Sequence, residues 1–129
     1  FSFVPHVSLL SVSPFLVAAD IVSLRISRFG SLQQTVHIAR SCIENDMGFR
    51  FGAMFTPSLQ NAISAHIALA LPKQRYAHDL SMHEMFLNDP FEGLVRRGGK
   101  IVIDPTKLGI GLKIRSDCGK FSPVPLQSR

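Results

Sequence analysis

Arg25 lies at the end of a strand-like segment that precedes a turn. Residues 21–26 are mostly apolar and β-branched, and Gly30 follows shortly afterwards. In a barrel of alternating strands and helices, a basic side chain near the carboxyl end of a strand points to where substrates bind. Arginine effectively never deprotonates in proteins and is therefore a poor proton-abstracting base. We expect Arg25 to make an electrostatic contact at the barrel mouth, either with a substrate carboxylate or beside a metal. The alternative is an arginine at the barrel rim that only contributes charge to the surface.

Hydroxyl side chains follow the second strand-like segment, residues 49–55. Thr56 precedes Pro57, and this pair predicts a helix start because threonine caps helices and proline is tolerated at the first helical position. The hydroxyls of Thr56 and Ser58, with the free amides of the following helix N-terminus, make a natural anion site. Capping alone explains both residues equally well. We name them as candidate substrate-binding residues.

Acidic side chains lie around a third short segment, residues 75–81. In a barrel, the loop after a strand faces the active site, so Asp79 is a third candidate for substrate contact. Aspartate also serves caps and turns, and this alternative applies to both Asp79 and Asp89.

The histidines give no convincing metal pattern. His78, His83 and Glu84 are close in sequence, but they lack the H-E-x-x-H helical spacing and a third ligand. His37 and His66 fall within helical patterns, where we interpret them as polar residues packed behind the sheet. We therefore predict no metal site formed by this chain alone.

Strand and helix patterns alternate from residue 20 onward. Ser31 offers a helix cap, and apolar residues then recur at spacings of three and four to about Glu44. That stripe consists of Leu32, Val36, Ala39 and Ile43. Residues 45–48 predict a turn that ends the helix at a glycine. An alanine-rich helix over residues 58–71 ends before Pro72.

The remaining pattern predicts short strands and turns. Turns are expected at Asp89-Pro90 and Gly98-Gly99, and strands over residues 100–103 and 110–114. Successive strand–helix–strand units predict an α/β fold with a parallel sheet, either doubly wound or part of a barrel. Gly30 stands alone after the first strand, so a dinucleotide-binding fingerprint has little support.

Composition and charge narrow the function classes. The chain has 129 residues, 46% hydrophobic and 18% charged, which is globular but too short for a complete eight-stranded barrel of ~250 residues. The net charge of +5 comes from scattered basic residues without interleaved aromatics, so we predict no nucleic-acid partner. Cys42 and Cys118 do not make a disulfide framework, and Cys42 is interpreted as a buried small hydrophobe. Reduced thiols favour a cytoplasmic location.

The two ends of the chain carry no periodic signal that assigns them to an element. Residues 1–18 are apolar, but Pro5 and Pro14 interrupt them and they lack a basic first region, so we expect neither a signal peptide nor a membrane span. A fragment boundary is our interpretation of this segment. Residues 116–129 are interpreted as a tail.

Three stretches in order resemble the C-terminal part of the mandelate racemase and muconate lactonizing group of the enolase superfamily. They are ADIVSLRISRFGSLQQTVHIA, FRFGAMFTPSLQNAISAHIALALP and GGKIVIDPTKLGIGLKI, within residues 19–115. The resemblance implies the last strand–helix units of a (β/α)8 TIM-type barrel, followed by a C-terminal β segment. It also implies Mg²⁺-dependent abstraction of a proton next to a carboxylate of a small molecule, as in racemases, cycloisomerases and acid-sugar dehydratases.

Departures from the family pattern separate two interpretations. Arg25 stands at the family's lysine position, Ser31 at the second glycine of its loop, and Leu108 at a usual proline. The strands that would carry three acidic magnesium ligands are not recognised in this sequence. The chain is thus expected either to be an enzyme fragment, inactive and without cofactor alone, or a non-catalytic remnant or interaction module that retains the fold. Either is expected to self-associate or to bind a missing barrel half, because an open parallel sheet leaves an unpaired edge.

Overall fold

A computed structural model describes residues 20–52 and 54–118 as two α-helices, six short strands and two 3-10 turns. The predicted segment 1–18 and most of the predicted tail lie outside the described residues. In chain order the strands and helices are β1 (Ile21–Leu24), α1 (Leu32–Glu44), β2 (Gly48–Phe51), α2 (Ser58–Ala70), β3 (Phe91–Glu92), β4 (Val95–Arg97), β5 (Lys100–Val102) and β6 (Lys113–Ile114).

The first strand–helix–strand unit forms a parallel pair, as the sequence predicts. β1 and β2 run parallel, with Ile21 opposite Gly48 and Leu24 opposite Phe51. Side chains alternate between the two faces of a strand, so Leu24, Phe49 and Phe51 share one face. All three are fully buried there in one cluster with α1 and α2 residues. Burial of such side chains stabilises the unit by about 1.5–3 kcal/mol each.

The first helix begins where the sequence predicts but turns a different face to the sheet. The Ser31 hydroxyl accepts a hydrogen bond from the Gln34 amide at 3.1 Å, which confirms the cap. The predicted apolar stripe is confirmed at Ala39, which is buried, and at Ile43, which is partly buried against the core, and it is wrong at Leu32. The buried positions are Thr35, Ile38, Ala39 and Cys42, whereas Leu32 is 45% exposed. Threonine can be buried here because its hydroxyl donates to the Ser31 carbonyl at 3.0 Å.

The end of α1 also differs from the prediction. Asn45 is the cap and Asp46 adopts the left-handed conformation at φ 52°, so the predicted glycine terminator is wrong. Gly48 instead opens β2, where a Cβ would lie 2.6 Å from a ring carbon of Tyr76. This position is thus glycine because the Tyr76 ring packs on the strand backbone.

The predicted second and third strands are shorter in the structure. β2 ends at Phe51, and the third segment pairs with the sheet only through a parallel bridge between Gly52 and Asp79. One further bond replaces part of the missing ladder, because the Phe51 amide donates to Nδ1 of His78 at 3.0 Å. The side chain of His78 thereby satisfies a backbone donor that a longer strand would have satisfied.

The second helix connects the sheet to the C-terminal segment through polar side chains. Ser58, Asn61 and Ser64 are buried, three residues apart, although most of α2 is apolar. The side-chain Nδ2 of Asn61 forms a hydrogen bond with Nδ1 of His83 at 3.1 Å. Nε2 of His66 forms a hydrogen bond with the Ile110 carbonyl at 3.3 Å. Both contacts fix distant segments to α2.

The C-terminal β segment consists of two antiparallel pairs. β4 and β5 form a hairpin, and β3 pairs with β6. The predicted turn at Gly98-Gly99 is confirmed: both glycines have positive φ, 54° and 77°, which a two-residue hairpin turn requires. The predicted strand over residues 110–114 shortens to β6, because the preceding residues form turns with Gly109 and Gly111 at positive φ.

The parallel sheet has one face that neither described helix covers. The buried cluster that contains α1 and α2 residues lies on the Leu24 and Phe51 side. By alternation, Ser23 and Arg25 of the β1 segment and Arg50 and Gly52 of the β2 segment lie on the other side. β1 also has no partner on its outer edge among residues 20–52 and 54–118. We call the face of the sheet that carries Ser23, Arg25, Arg50 and Gly52 the inner face.

Candidate functional site

Three residues that follow parallel segments line up at one edge of the sheet. Because Leu24 pairs with Phe51, Arg25 and Gly52 lie at the same level, and Gly52 is bridged to Asp79. The Gly52 amide donates to the Leu24 carbonyl at 2.9 Å, and the Asp79 amide donates to the Phe51 carbonyl at 2.8 Å. We call this row the carboxyl edge. In open and closed α/β sheets, ligands bind at this end of the strands.

Arg25 leaves the strand at this edge and starts a turn. Its backbone is still extended, at φ −133° and ψ 115°, and the 3-10 turn Ile26–Arg28 follows directly. The residue as a whole is half-buried, while its Nε atom is fully buried and has no hydrogen-bond partner among residues 20–52 and 54–118. The Oγ atom of Ser23, on the same face, is buried and without a partner as well.

Gly52 is the residue of this edge that sequence reasoning did not single out. A Cβ at this position would lie 2.6 Å from Oγ of Ser23 and 3.5 Å from Nε of Arg25. Glycine is required because the two polar side chains occupy the space that a larger residue would need. The only sequence signal was the glycine at the end of the FRFG segment, directly after an apolar strand.

Asp79 reaches the carboxyl edge but does not neutralise Arg25. It is exposed, and its pairing with the sheet runs through the backbone. No ion pair within 4.0 Å joins it to Arg25 among the described residues, where the ion pairs involve Arg75, Arg96 and Arg115. The edge therefore presents the positive charge of Arg25 and one solvated carboxylate, which do not form an ion pair with each other.

The predicted anion site at the start of α2 is occupied by the protein itself. Thr56 is not the cap, since the cap position is Pro57 and the Thr56 hydroxyl donates to the Met54 carbonyl at 3.2 Å. The Ser58 amide donates to Oδ2 of Asp89 at 2.7 Å. Thr56 fails as a cap because a carboxylate from a distant turn binds the helix N-terminus instead.

Asp89 and Ser58 together tie the C-terminal segment to α2. The other carboxylate oxygen of Asp89 accepts from the Phe91 amide at 3.0 Å, and the Ser58 hydroxyl donates to the Phe91 carbonyl at 3.5 Å. Ser58 is buried by these contacts. The structure thus gives Ser58 and Asp89 a role in joining α2 to the C-terminal segment.

Burial shifts the pKa values of two ionisable side chains near the sheet, His78 and Cys42. Burial lowers the pKa of His78, whose Nδ1 accepts from the Phe51 amide and therefore carries no proton. Its ring packs against Phe51 and Phe49, with centroid distances of 5.4 and 6.4 Å. Cys42 is fully buried, which confirms its prediction as a buried small hydrophobe, and this burial raises the pKa of its thiol to about 11.

The described residues do not form a magnesium site. Residues 20–52 and 54–118 contain no group of three or more His, Cys, Asp or Glu side chains placed to hold a metal ion. Magnesium requires several oxygen ligands, and the carboxyl edge offers one exposed carboxylate near an arginine. No helix within these ranges is long and apolar enough to cross a membrane.

A sequence model of the family described as enolase C-terminal domain-like matches residues 15–118. No curated protein sequence matches the chain. Three similar solved structures follow. Muconate lactonizing enzyme from Pseudomonas putida has a TM-score of 0.69 and 24% identity over 75% of this chain and 27% of its own. Dipeptide epimerase from Cytophaga hutchinsonii, complexed with Mg and the dipeptide D-Ala-L-Val, has a TM-score of 0.69 and 24% identity. The match covers 79% of this chain and 28% of the epimerase. L-Ala-D/L-Glu epimerase from Bacillus subtilis has a TM-score of 0.65 and 21% identity, and the match covers 77% of this chain and 28% of that epimerase.

These similarities concern the fold and only part of each relative. The chain spans less than a third of the length of each of these three solved structures. The α/β fold predicted from the sequence agrees with that of the matched segments.

Proposed function

The chain belongs to the enolase C-terminal domain-like family, in the mandelate racemase and muconate lactonizing group of the enolase superfamily, and on this premise we propose that it is the C-terminal portion of a barrel enzyme. The parent reaction is abstraction of a proton next to the carboxylate of a small molecule, in a racemase, epimerase, cycloisomerase or dehydratase. The observation that carries this proposal is the alignment of Arg25, Gly52 and Asp79 at one carboxyl edge.

In this proposal the inner face of the sheet is part of the barrel interior. Ser23, Arg25, Arg50 and Gly52 lie on the face opposite the buried cluster of α1 and α2 residues. A barrel places its helices outside and its substrate at the carboxyl end of the strands, and both features match this arrangement. The free edge of β1 is where a preceding barrel strand would pair.

Arg25 acts in this proposal as an electrostatic group and not as a base. It follows β1 at the position where the family has a lysine, and arginine does not release its proton at physiological pH. Its fixed positive charge stabilises negative charge that develops on a substrate oxygen. Asp79, on the same edge, is a polar contact for substrate. Thr56 and Ser58 are not retained as substrate contacts, since both are engaged in bonds within the protein.

Magnesium belongs to the parent enzyme and not to this chain by itself. The dipeptide epimerase of similar fold was solved with Mg, but the residues at this carboxyl edge do not match the needs of that ion. We therefore assign the chain no metal step. Alone, it is proposed to be inactive and to require the remainder of a barrel.

A second candidate function is a non-catalytic protein that retains the fold. Arg25 at the lysine position supports it, because loss of the base removes proton abstraction while leaving the fold intact. The two candidates differ in whether a completed barrel exchanges the substrate's α-proton.

Proton–deuterium exchange in a completed barrel tests the proposal. The chain would be joined to the missing barrel strands of a relative and supplied with Mg²⁺ and carboxylate substrates in D₂O. We expect slow exchange with arginine and an increase of ~10²–10⁴-fold in Arg25→Lys, because a lysine pKa can shift toward neutrality by burial. Arg28→Lys, an exposed arginine of the following turn, is the control and should change nothing.

Two other results would contradict the expected gain in exchange from Arg25→Lys. Rapid exchange with Arg25 that falls in Arg25→Lys would show that another group is the base and that the reaction needs only the charge of Arg25, so the gain expected from lysine would be wrong. No exchange in either barrel, with the fold intact, would favour the non-catalytic candidate.

A further inference from the structure

A cavity of about 300 Å³ lies where α2 meets the C-terminal β segment. His66 of α2 lines it together with residues of the β4–β5 hairpin and of the turns before β6. This volume is at the lower end of the range of small-molecule sites, which is roughly 300–1,000 Å³. Among the described residues that line it are none of the carboxyl-edge residues Arg25, Gly52 and Asp79. The cavity is therefore a different surface from the carboxyl edge.

Apolar side chains of the hairpin form part of this lining. β4 and β5 pair with Val95 opposite Val102, so both side chains lie on one face of the hairpin. They line the cavity and are 38% and 42% exposed. Ile110 also lines it, and its carbonyl forms a hydrogen bond with Nε2 of His66 at 3.3 Å, which holds this part of the lining to α2. The cavity thus offers partly open apolar surface that the apolar part of a ligand would cover.

Two cations of the lining, Arg97 and Lys107, have no ion-pair partner in the described part of the chain. Arg97 is also directly opposite Lys100 in the hairpin, and like charges in such positions destabilise a strand pair. Among the described residues the lining has one carboxylate, that of Asp104. Its Oδ1 already accepts hydrogen bonds from the amide and the hydroxyl of Thr106, at 2.9 and 2.7 Å. An anion in the cavity would therefore reduce an existing repulsion at Arg97.

We propose that this cavity binds an organic phosphate monoester that carries an apolar group. Arg97 and Lys107 are the charge partners of the phosphate, and the two valines contact the apolar group. A phosphate monoester carries about −1.5 to −2 charges at pH 7, so it interacts with both cations at once. The guanidinium binds two phosphate oxygens through its planar fork, and the ammonium acts as a point charge. The ester is bound without any change in its bonds, and this binding goes beyond the proposed function.

Calorimetric titration of the full 129-residue chain, at neutral pH and low salt, tests the inference. The probes are hexyl phosphate, inorganic phosphate and hexanoate, without magnesium. We expect saturable binding of hexyl phosphate, about 3-fold tighter than that of inorganic phosphate, because part of the hexyl chain covers the two valines. Hexanoate should bind about 10-fold more weakly than hexyl phosphate, because it lacks the second negative charge.

Vesicles distinguish a soluble ester from a lipid headgroup, since phosphatidic acid carries the same phosphate monoester. The chain is sedimented with phosphatidylcholine vesicles that contain or lack phosphatidic acid. A gain in bound chain that Arg97→Gln removes would identify the lipid headgroup as the source of the ligand. Hexyl phosphate binding without such a gain would identify a soluble ester. Either result supports the inference.

Matched variants localise the binding. Arg97→Gln and Lys107→Gln should each weaken hexyl phosphate binding about 10-fold, as expected for the loss of one charge-assisted bond. Both side chains are exposed, and Arg97→Gln removes the repulsion with Lys100, so we expect neither variant to lower the melting temperature. Val102→Thr should weaken the binding of hexyl phosphate and leave that of inorganic phosphate unchanged. The control is Arg40→Gln, an exposed arginine of α1 outside the cavity lining, which should bind hexyl phosphate like the unchanged chain.

Several results would overturn the inference. They are the absence of saturable hexyl phosphate binding, or unchanged affinity in both Arg97→Gln and Lys107→Gln. An equal loss in Arg40→Gln would show attraction to the net charge of the chain and not to this cavity. Hexanoate binding as tight as that of hexyl phosphate would overturn the phosphate assignment. Vesicle binding that persists in Arg97→Gln, without hexyl phosphate binding, would also count against the cavity. These titrations require neither magnesium nor a completed barrel, so their failure is distinguishable from failure of the proposed enzymatic function.

Discussion

His78 makes folding of the third segment depend on pH. Its Nδ1 accepts a hydrogen bond from the Phe51 amide at 3.0 Å, so the imidazole must be neutral, with its proton on Nε2. Burial lowers the pKa of His78 from 6.5. The ring also contacts Phe51 and Phe49, and Asp79, Arg96 and Lys100 line the same cleft. Protonation of Nδ1 would remove the only acceptor that the Phe51 amide has in this position.

The direction of the pH effect follows from the lowered pKa. In the unfolded chain this histidine takes up its proton near pH 6.5, whereas in the folded protein it does so only at lower pH. Below pH 6.5 the unfolded state thus binds more protons. The contribution of His78 to stability is complete above pH 6.5 and is lost as the pH falls from there through the lowered pKa of the folded state.

Substitutions separate the hydrogen bond from the packing. His78→Phe retains an aromatic ring but leaves the Phe51 amide unpaired, which costs about 1–3 kcal/mol; the half-buried position favours the lower end. His78→Ala also loses the aromatic contacts, worth about 0.5–1.5 kcal/mol, so we expect about 2–4 kcal/mol in total. His78→Asn retains an acceptor oxygen and should cost less than His78→Ala.

Urea unfolding between pH 5 and 8 measures these effects. The unchanged chain should lose stability below pH 6.5, and His78→Phe should show a smaller loss because it has no group to titrate at this position. His37→Asn, an exposed histidine of α1, is the control and should keep the full pH dependence. Identical pH profiles for the unchanged chain and His78→Phe would refute the reasoning, as would an NMR spectrum at pH 7.5 with the proton on Nδ1.

Three further predictions concern the edge, the helix anchor and assembly. Gly52→Ala should destabilise the protein by about 1–3 kcal/mol in urea unfolding, because the new Cβ lies 2.6 Å from Oγ of Ser23. A neutral effect at Gly52 would contradict the close packing. Asp89→Ala should cost about 1–2 kcal/mol and expose the Ser58 and Phe91 amides to hydrogen exchange, whereas unchanged exchange would show that Asp89 anchors nothing. Because β1 has an unpaired edge among the described residues, the chain should sediment as dimers or larger species at micromolar concentration, and a monodisperse monomer with a concentration-independent melt would contradict this.

The local sequence determined the elements whose signals lie within a few residues. Ser31 caps α1 because a serine side chain reaches the amide three residues later, and Pro72 ends α2 because proline cannot continue a helix. Gly98-Gly99 fixes the hairpin turn because both residues must adopt positive φ. The parallel pair β1–β2 followed from the alternation of strand and helix signals.

Predictions failed where a distant residue competed with a local signal. Thr56-Pro57 reads as a capped helix start, yet the carboxylate of Asp89 binds the Ser58 amide from 31 positions away. The buried face of α1 includes Thr35, which the apolar pattern did not predict, because the Ser31 carbonyl accepts a hydrogen bond from its hydroxyl. The third strand shortened to one bridge because His78 satisfies the Phe51 amide.

Some features of the candidate site also followed from the local sequence, and others depended on contacts between distant residues. Sequence alone determined that Arg25 follows an apolar strand, that arginine is unsuited to proton abstraction, and that the chain resembles one enzyme group, because all three depend on residue type and order. Only the tertiary structure placed Gly52 and Asp79 at one edge with Arg25 and paired the Ser58 amide with Asp89. It alone showed that Nε of Arg25 and Oγ of Ser23 are buried and have no hydrogen-bond partner in the described part of the chain. The physical reason is that burial and hydrogen-bond pairing depend on strand register, which brings together residues 27 positions apart and is not encoded in any one segment.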